Sequence, residues 1–280
     1  MRPLVFLPAL VMLLTGCATS PSALPENVTV SVFQNRFDYS LRQLQIKVSN
    51  GTDAAVTVTS AILDSTRWTT PATWDRPQEI PAGGARDLRV QLGEADCAAD
   101  ELVDTVALEL TLADGTTRSG SIVPTDETGR LEAVYADDCL GEAVAAIAAV
   151  TAPDAVTWTP GARGPMTVDL TVTPTGADGT LTIHQAKGTV LLSLVDEGGV
   201  RVTALPLERV VDASAGAGGI HLLIEPGRCD PHAVAEDKRG TFLPLDVSTS
   251  DGRSGTIYVA MSDAVRLSIY EFVADYCAFS

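Results

Sequence analysis

The sequence has few lysines and no cluster of basic residues. Only Lys47, Lys187 and Lys238 are lysines in 280 residues, and the formal net charge is −17. Binding to nucleic-acid phosphates depends on clustered lysine and arginine side chains. We therefore expect no nucleic acid among the partners, and we expect the acidity to favour solubility and repulsion from anionic surfaces.

Local signatures of common enzymes and cofactor sites are also missing. No G-x-S-x-G segment marks a nucleophilic serine. The glycine-rich segment 216–219 lacks the lysine of a phosphate-binding loop and leads into a predicted strand. No two cysteines have the C-x-x-C spacing of zinc or redox motifs. From these absences we predict no enzyme activity and no cofactor.

The apolar run at the N-terminus is too short to span a membrane. It covers residues 3–14 after Arg2, whereas a spanning helix takes about 20 residues. The run fits the apolar core of a secretory signal peptide. Residues Leu14-Thr15-Gly16-Cys17 follow directly, and they resemble the bacterial lipobox.

The resemblance implies that Cys17 receives a diacylglycerol thioether after the signal is cut before it. Two acyl chains give stable anchoring. We therefore predict a signal peptide over 1–16, a lipidated tether over 17–26, and a location on the extracytoplasmic face of the bacterial cell membrane. We expect the membrane to be one partner, bound through the lipid on Cys17, and another envelope protein to be a second. An ordinary signal peptide with a chance cysteine at the cut is the alternative.

The four remaining cysteines, Cys97, Cys139, Cys229 and Cys277, lie in two similar stretches of sequence. Four cysteines permit three connectivities. The duplication selects Cys97–Cys139 and Cys229–Cys277, one bridge per copy, in an oxidising compartment. Four free thiols are the alternative. Each stretch also contains an Asp-Gly turn and a similar pentapeptide: Asp114-Gly115 with Arg118-Ser119-Gly120-Ser121-Ile122, and Asp251-Gly252 with Arg253-Ser254-Gly255-Thr256-Ile257.

A run of alternating residues keeps the same register in both copies. Leu88, Val90 and Leu92 precede Cys97 as Ile220, Leu222 and Ile224 precede Cys229, always 132 positions apart. Arg89 and His221 then fall on the outward face of equivalent strands.

Period-two alternation of apolar and polar residues runs through most of the chain and is typical of strands with one buried face. We predict an all-β chain of two domains, 27–142 and 143–280, with about seven strands in the first and no long helix. The segment 131–136 leads to Cys139, and 141–150 is interpreted as a strand rather than a short helix. Short, regularly spaced strands resemble immunoglobulin-like β-sandwiches in general, although no tryptophan lies between the paired cysteines.

The two copies differ most just after the first cysteine of the second copy. An insertion there contains Asp230, His232, Glu236 and Asp237, and His232 and Glu236 would share one face of a helix. These side chains are a candidate site for a divalent cation or another ligand. The alternative is a capped helical turn, because Asp230 suits an N-cap and Pro231 the first helical position.

Other chemically suggestive residues have simpler interpretations. His184 and His221 are isolated on predicted strands and are interpreted as surface or hydrogen-bonded histidines. Trp68 and Trp74 lie among prolines, where they form either an exposed binding surface or part of the core.

We therefore predict a non-enzymatic binding, adaptor or envelope-structural lipoprotein. One alternative is a solute- or cation-binding lipoprotein using the segment 230–237. Another is an envelope hydrolase, which requires a nucleophile and a base within hydrogen-bonding distance. The low lysine content is similar to that of actinobacterial lipoproteins with no assigned function.

Overall fold

The computed structural model describes residues 23–35, 38–230, 232, 234 and 241–279. The signal peptide, Cys17, Glu236 and Asp237 lie outside these residues, so the predictions about them remain predictions.

The first half of the chain forms seven antiparallel strands with an additional short one, because its apolar residues alternate with polar ones. Val28, Val30 and Val32 are buried in this way, as are Val56 and Val58. The elements are β1 (Val28–Phe33), α1 (Asp38–Leu41), β2 (Gln43–Asn50), β3 (Val56–Ser65), β4 (Ala72–Trp74), β5 (Gln78–Ile80), β6 (Ala85–Gln91), β7 (Asp104–Leu112), β8 (Thr117–Ile122) and α2 (Arg130–Ile147).

The strands form two sheets. One has the order β1-β2-β6, and the other has the order β4-β3-β7-β8 with β5 also pairing with β3. Strands that are neighbours in the chain, such as β2 and β3, thus lie in opposite sheets. This strand order is that of an immunoglobulin-like sandwich. The sheet of β1, β2 and β6 faces the sheet that contains β3, β7 and β8.

The second half has the same alternation and also ends in a helix, but it has nine strands and, among its described residues, no helix equivalent to α1. Its elements are β9 (Ala148–Thr151), β10 (Met166–Pro174), β11 (Thr180–Lys187), β12 (Leu192–Val195), β13 (Arg201–Val202), β14 (Ala204–Asp212), β15 (Gly218–Pro226), β16 (Leu243–Thr249), β17 (Ser254–Val259) and α3 (Asp263–Cys277).

Strand pairing in the second sandwich reproduces that of the first. The sheet β9-β10-β15 corresponds to β1-β2-β6, and β14-β11-β16-β17 corresponds to the other sheet, while β12 and β13 extend β15. Each sandwich contains one disulfide, Cys97–Cys139 and Cys229–Cys277. These observations confirm the predicted all-β class, the two immunoglobulin-like sandwiches and the pairing of cysteines.

The helices were not predicted. Residues 131–136 belong to α2, and of the segment 141–150 only Ala148–Val150 are in a strand. The prediction of no long helix was therefore wrong, and each disulfide joins a closing helix to the loop after β6 or β15. Helix α2 begins where Asp126 accepts hydrogen bonds from the N–H groups of Arg130 and Leu131, and α3 begins where Ser262 accepts one from Val265.

Helix α2 belongs to both hydrophobic cores. Leu131, Val134 and Cys139 pack in the first core, and Leu140, Val144 and Ile147 pack in the second. The predicted boundary between residues 142 and 143 therefore lies inside this helix. In the part of the chain that the structure describes, neither α2 nor any other helix is long and apolar enough to cross a membrane.

Candidate functional site

The predicted ligand segment is only partly described. The side chain of Asp230 accepts a hydrogen bond from the backbone N–H of His232 at 3.0 Å, which is the arrangement of a helix N-cap. The His232 side chain is exposed. Within the described residues no three potential metal ligands cluster. A role for Glu236 and Asp237 as further ligands remains a prediction.

The other residues singled out in the sequence have protein partners. His221 Nδ1 lies 2.7 Å from Asp169 Oδ1 on an exposed strand face. Trp68 is buried in the first core, and Trp74 packs with the Arg76 guanidinium 4.0 Å from its ring centre. Arg253 ion-pairs with Asp251 and also donates a hydrogen bond across the domain boundary to the carbonyl of Cys97.

His184 lies in the only described arrangement that resembles a nucleophile–base pair. His184 Nε2 is 2.9 Å from Ser248 Oγ, and Nδ1 is 3.4 Å from Glu208 Oε2. A β-bulge falls at His184, between Ile183 and Gln185. All three side chains lie on the outer face of an open sheet, where water is not excluded from them.

A cleft of about 430 Å³ lies between the two domains and is the candidate site. Small-molecule sites usually have volumes of about 300–1,000 Å³. The first domain contributes residues from α1, α2 and the end of β1, and the second contributes β17 and the residue before β16. The lining residues are Gln34, Tyr39, Arg42, Arg130, Val134, Asp137, Asp138, Gly141, Phe242, Thr256, Ile257 and Tyr258.

Arg42 is held by hydrogen bonds at one side of the cleft. Its Nη2 atom donates hydrogen bonds to Asp138 Oδ2 at 2.7 Å and to the carbonyl of Gly93 at 2.8 Å. Its backbone has a positive φ of 50°, a conformation that costs a non-glycine residue about 1–3 kcal/mol. The carbonyl of Arg42 accepts hydrogen bonds from Leu92 N–H and the Gln91 amide, which hold that conformation in place.

Arg130 is fixed by two contacts of a different kind. Its Nη2 atom donates to Gln34 Oε1 at 2.7 Å. Its guanidinium lies 4.7 Å from the centre of the Tyr39 ring, a cation–π distance. The amide of Gln34 in turn donates to the carbonyl of Gln43. The two arginines are thus oriented before any ligand arrives, which lowers the entropy cost of binding.

The opposite wall of the cleft rests on a polar network in the second domain. The Thr256 hydroxyl donates a hydrogen bond to Asp246 at 2.6 Å. Asp246 also forms an ion pair with Lys187 Nζ at 2.8 Å and accepts a hydrogen bond from the Gln185 amide at 2.6 Å. Burial raises the pKa of Asp246, but the hydrogen bonds from Lys187, Thr256 and Gln185 outweigh it and lower the pKa to about 2. Tyr258, next to Thr256 on this face, remains 45% exposed.

The charges of the lining residues balance. Arg42 and Arg130 oppose Asp137 and Asp138, so hydrogen-bond donors and acceptors stand side by side. An adjoining cleft of about 400 Å³ adds the carboxylates of Glu94 and Glu142 at its edge. A strongly anionic ligand is therefore disfavoured, whereas a polar ligand with both donors and acceptors fits.

Sequence reasoning missed this site because its residues are far apart in the chain and lie on elements that were not predicted. In the sequence, Asp137 and Asp138 are only an acidic pair, of a kind that usually lies on a solvated surface. A helical reading of 130–147 would have placed Arg130, Val134, Asp137 and Gly141 on one face.

Neither a protein-family model nor a curated protein sequence matches the chain. Solved structures overlap it weakly. The B domain of a biofilm associated protein has a TM-score of 0.25 at 10% identity, over 90% of this chain and 91% of that one. The CupB2 chaperone of Pseudomonas aeruginosa has a TM-score of 0.24 at 11% identity, over 80% and 95%.

Red sea bream transglutaminase has a TM-score of 0.23 at 12% identity. The match covers 86% of this chain but spans only 32% of the transglutaminase. Likeness at this level supports no inference about function.

Proposed function

We propose that this protein is a lipid-anchored, non-enzymatic binding module on the extracytoplasmic face of the cell membrane. The interdomain cleft is its ligand site. The observation that carries the proposal is the pair of preoriented arginines, Arg42 and Arg130, in a cleft of ligand size. The two disulfides support an oxidising compartment outside the cytoplasm.

The chemistry of the lining favours a saccharide as the ligand. Sugar hydroxyls both donate and accept hydrogen bonds, so they match guanidinium groups and carboxylates placed together. The rings of Tyr39, Phe242 and Tyr258 also line the cleft and offer flat apolar surface to the C–H face of a sugar ring. A balanced lining matches a ligand without high charge.

Calorimetric titration of the purified protein with a panel of bacterial envelope oligosaccharides tests this proposal. We expect at least one to bind with a Kd between about 1 µM and 1 mM, and we expect Tyr258→Ala to weaken that binding at least tenfold. Val210→Ala is the matched control, because Val210 is also exposed but does not line the cleft. Binding that Tyr258→Ala leaves unchanged would place the site elsewhere.

The lipid anchor is tested separately from the cleft. We expect mass spectrometry of the protein from bacterial membranes to find its N-terminal peptide beginning at Cys17 and carrying acyl chains. We expect Cys17→Ser to move the protein from the membrane fraction to the medium or the periplasm. An unmodified N-terminal peptide would leave the binding proposal standing but remove the anchor.

The solute- or cation-binding alternative concerns the segment 230–237 rather than the cleft. A rise in Tm with a divalent cation that His232→Ala abolishes would support it. No Tm shift with any divalent cation would argue against it.

The hydrolase alternative is favoured by one observation, the 2.9 Å contact of His184 with Ser248. None of the four clefts described in the structure is lined by either residue. Catalysis also requires donors that stabilise an oxyanion and exclusion of water. We therefore expect a fluorophosphonate probe not to label Ser248, and covalent labelling that Ser248→Ala abolishes would revive this alternative.

A further inference from the structure

The duplicated pentapeptide places a glycine at the same position of an edge strand in each domain. Gly120 in β8 and Gly255 in β17 are 135 positions apart. Gly120 pairs with buried Leu108, and Gly255 pairs with buried Val247. Directly paired residues point to the same face of a sheet. Both glycines therefore face the interior of their sandwich, at the open side between the two sheets.

A leucine from the preceding segment of the chain fills the space at each glycine. A Cβ atom on Gly120 would lie 3.2 Å from Leu24 Cγ, and a Cβ atom on Gly255 would lie 2.9 Å from Leu140 Cδ2. Leu140 belongs to α2, the element that leads into the second domain. Leu24 belongs to the segment that leads into the first and is half-buried against its core.

The two contacts are equivalent in the two copies of the pentapeptide. A side chain larger than hydrogen at either position would displace the leucine, because these distances are shorter than ordinary carbon–carbon contact. Each sandwich is thus closed on its open side by the segment that precedes it. The glycine two residues after each arginine of the pentapeptide therefore has the same contact in both copies.

We infer that Leu24 docks the described end of the predicted tether, residues 23–26, onto β8, so that this side of the first domain is held close to the lipid surface. This inference rests on the lipid anchor proposed above. Cys17 precedes Leu24 by seven residues, which span at most about 25 Å when fully extended. The open side of the first sandwich at β8 is therefore held within about 25 Å of the lipid headgroups.

The first experiment measures docking in the lipidated protein reconstituted into phosphatidylcholine–phosphatidylglycerol vesicles. We expect a nonspecific protease to cut residues 23–27 slowly in the native chain. We expect Leu24→Gly and Gly120→Val to raise that cutting rate at least tenfold while the rest of the first domain stays resistant. Ala23→Gly is the matched control, since Ala23 is exposed and next to Leu24. A native tether that is cut as fast as the Leu24→Gly tether would overturn the inference.

The second experiment measures distance from the membrane. A donor dye at Val123→Cys, which replaces a 74% exposed residue after β8, is paired with acceptor dyes on the lipid headgroups. We expect efficient energy transfer that falls clearly when Leu24→Gly is added but not when Ala23→Gly is added. Equal transfer in all three proteins would mean that docking does not set the position of the domain.

The two proposals fail in distinguishable ways. Without a lipid anchor the protein would not float with the vesicles at all, although the tether would still resist protease in solution. With an anchor but without docking the protein would float and its tether would be cut at once.

Discussion

The helices α2 and α3 close the two duplicated domains in the same place but are held there by different chemistry. Both carry the second cysteine of their disulfide. Helix α2 is tied to the first sandwich by ion pairs, Arg42 with Asp138 and Arg67 with Glu132. Helix α3 instead packs through an aromatic contact: Phe272 lies 6.0 Å from Trp158, centre to centre.

The two helices are held by different contacts because α2 packs in two cores and α3 packs in one. Helix α2 divides its buried apolar residues between two cores, so fewer of them hold it to the first sandwich, and polar contacts supply the rest. Helix α3 places Val265, Ile269, Phe272 and Val273 in one core. The duplication thus kept the backbone and the disulfide, whereas the side chains between helix and sandwich diverged.

Removing either disulfide has the largest expected effect, and the comparison predicts similar effects in both domains. The bridges close loops with sequence separations of 42 and 48, which corresponds to about 4 kcal/mol of unfolding free energy each in the chain-entropy model. We expect Cys97→Ser with Cys139→Ser, and Cys229→Ser with Cys277→Ser, to lower the stability of their own domains by about this amount in denaturant titrations. A loss below about 1 kcal/mol in one domain would show that its helix is held without the bridge.

Leu140→Ala tests whether α2 packs in the cores of both domains. The side chain is buried in the second core, and truncation of a buried leucine costs about 2–5 kcal/mol. We expect hydrogen exchange to show faster opening of β16 and β17, with a smaller effect on β7 and β8. Leu131→Ala is the control, because Leu131 is buried in the first core on the same helix. The reverse pattern would show that α2 belongs to one domain alone.

The effects of Arg67→Ala and Arg201→Ala on stability compare the polar contacts beside the two helices. The Arg67 side chain is 10% exposed and pairs with Asp104 and Glu132. Its removal leaves Asp104 without a cation, so we expect a loss of about 2 kcal/mol in the stability of the first domain. Arg201 pairs with Glu225 beside α3 but is 46% exposed, so Arg201→Ala should cost less than about 1 kcal/mol. Equal losses in chemical denaturation would contradict the distinction between the two helices.

The last expected effect is the pH dependence that Asp246 gives to the second domain. Asp246 pairs with Thr256 where the first domain has Ala107 opposite Ser121. Hydrogen bonds lower the pKa of Asp246 from 3.8 to about 2 against the effect of burial. The folded state thus binds the proton more weakly than the unfolded state, so this stabilisation is present above pH 3.8 and is lost as the pH falls towards 2.

We expect native protein to be more stable than Asp246→Asn at pH 6 and the gap to close between about pH 4 and pH 2. Thermal unfolding at a series of pH values measures it. A stability difference that is the same at every pH would mean that Asp246 stabilises the domain through its packing rather than its charge.

The sequence predicted the strands well because each has one buried face, and burial on one face imposes a period of two. The repeat also identified the disulfides, since two copies of one module restrict how four cysteines pair. The helices were not predicted because their apolar residues are spaced by three and four positions, and charged residues such as Glu132 and Asp137 lie between them. In α3, Val265, Ile269, Phe272 and Val273 have this helical spacing, which would have been sufficient to find it.

The sequence by itself determined that this chain is a pair of sandwiches, each with its own disulfide, because local alternation and internal repetition are properties of the order of residues. Only the tertiary structure decided where Arg42, Arg130 and Tyr258 meet, and that Leu24 and Leu140 fill equivalent spaces. Those contacts join residues about 90 or more positions apart, and such pairs are brought together by the packing of whole sheets and helices rather than by any local pattern.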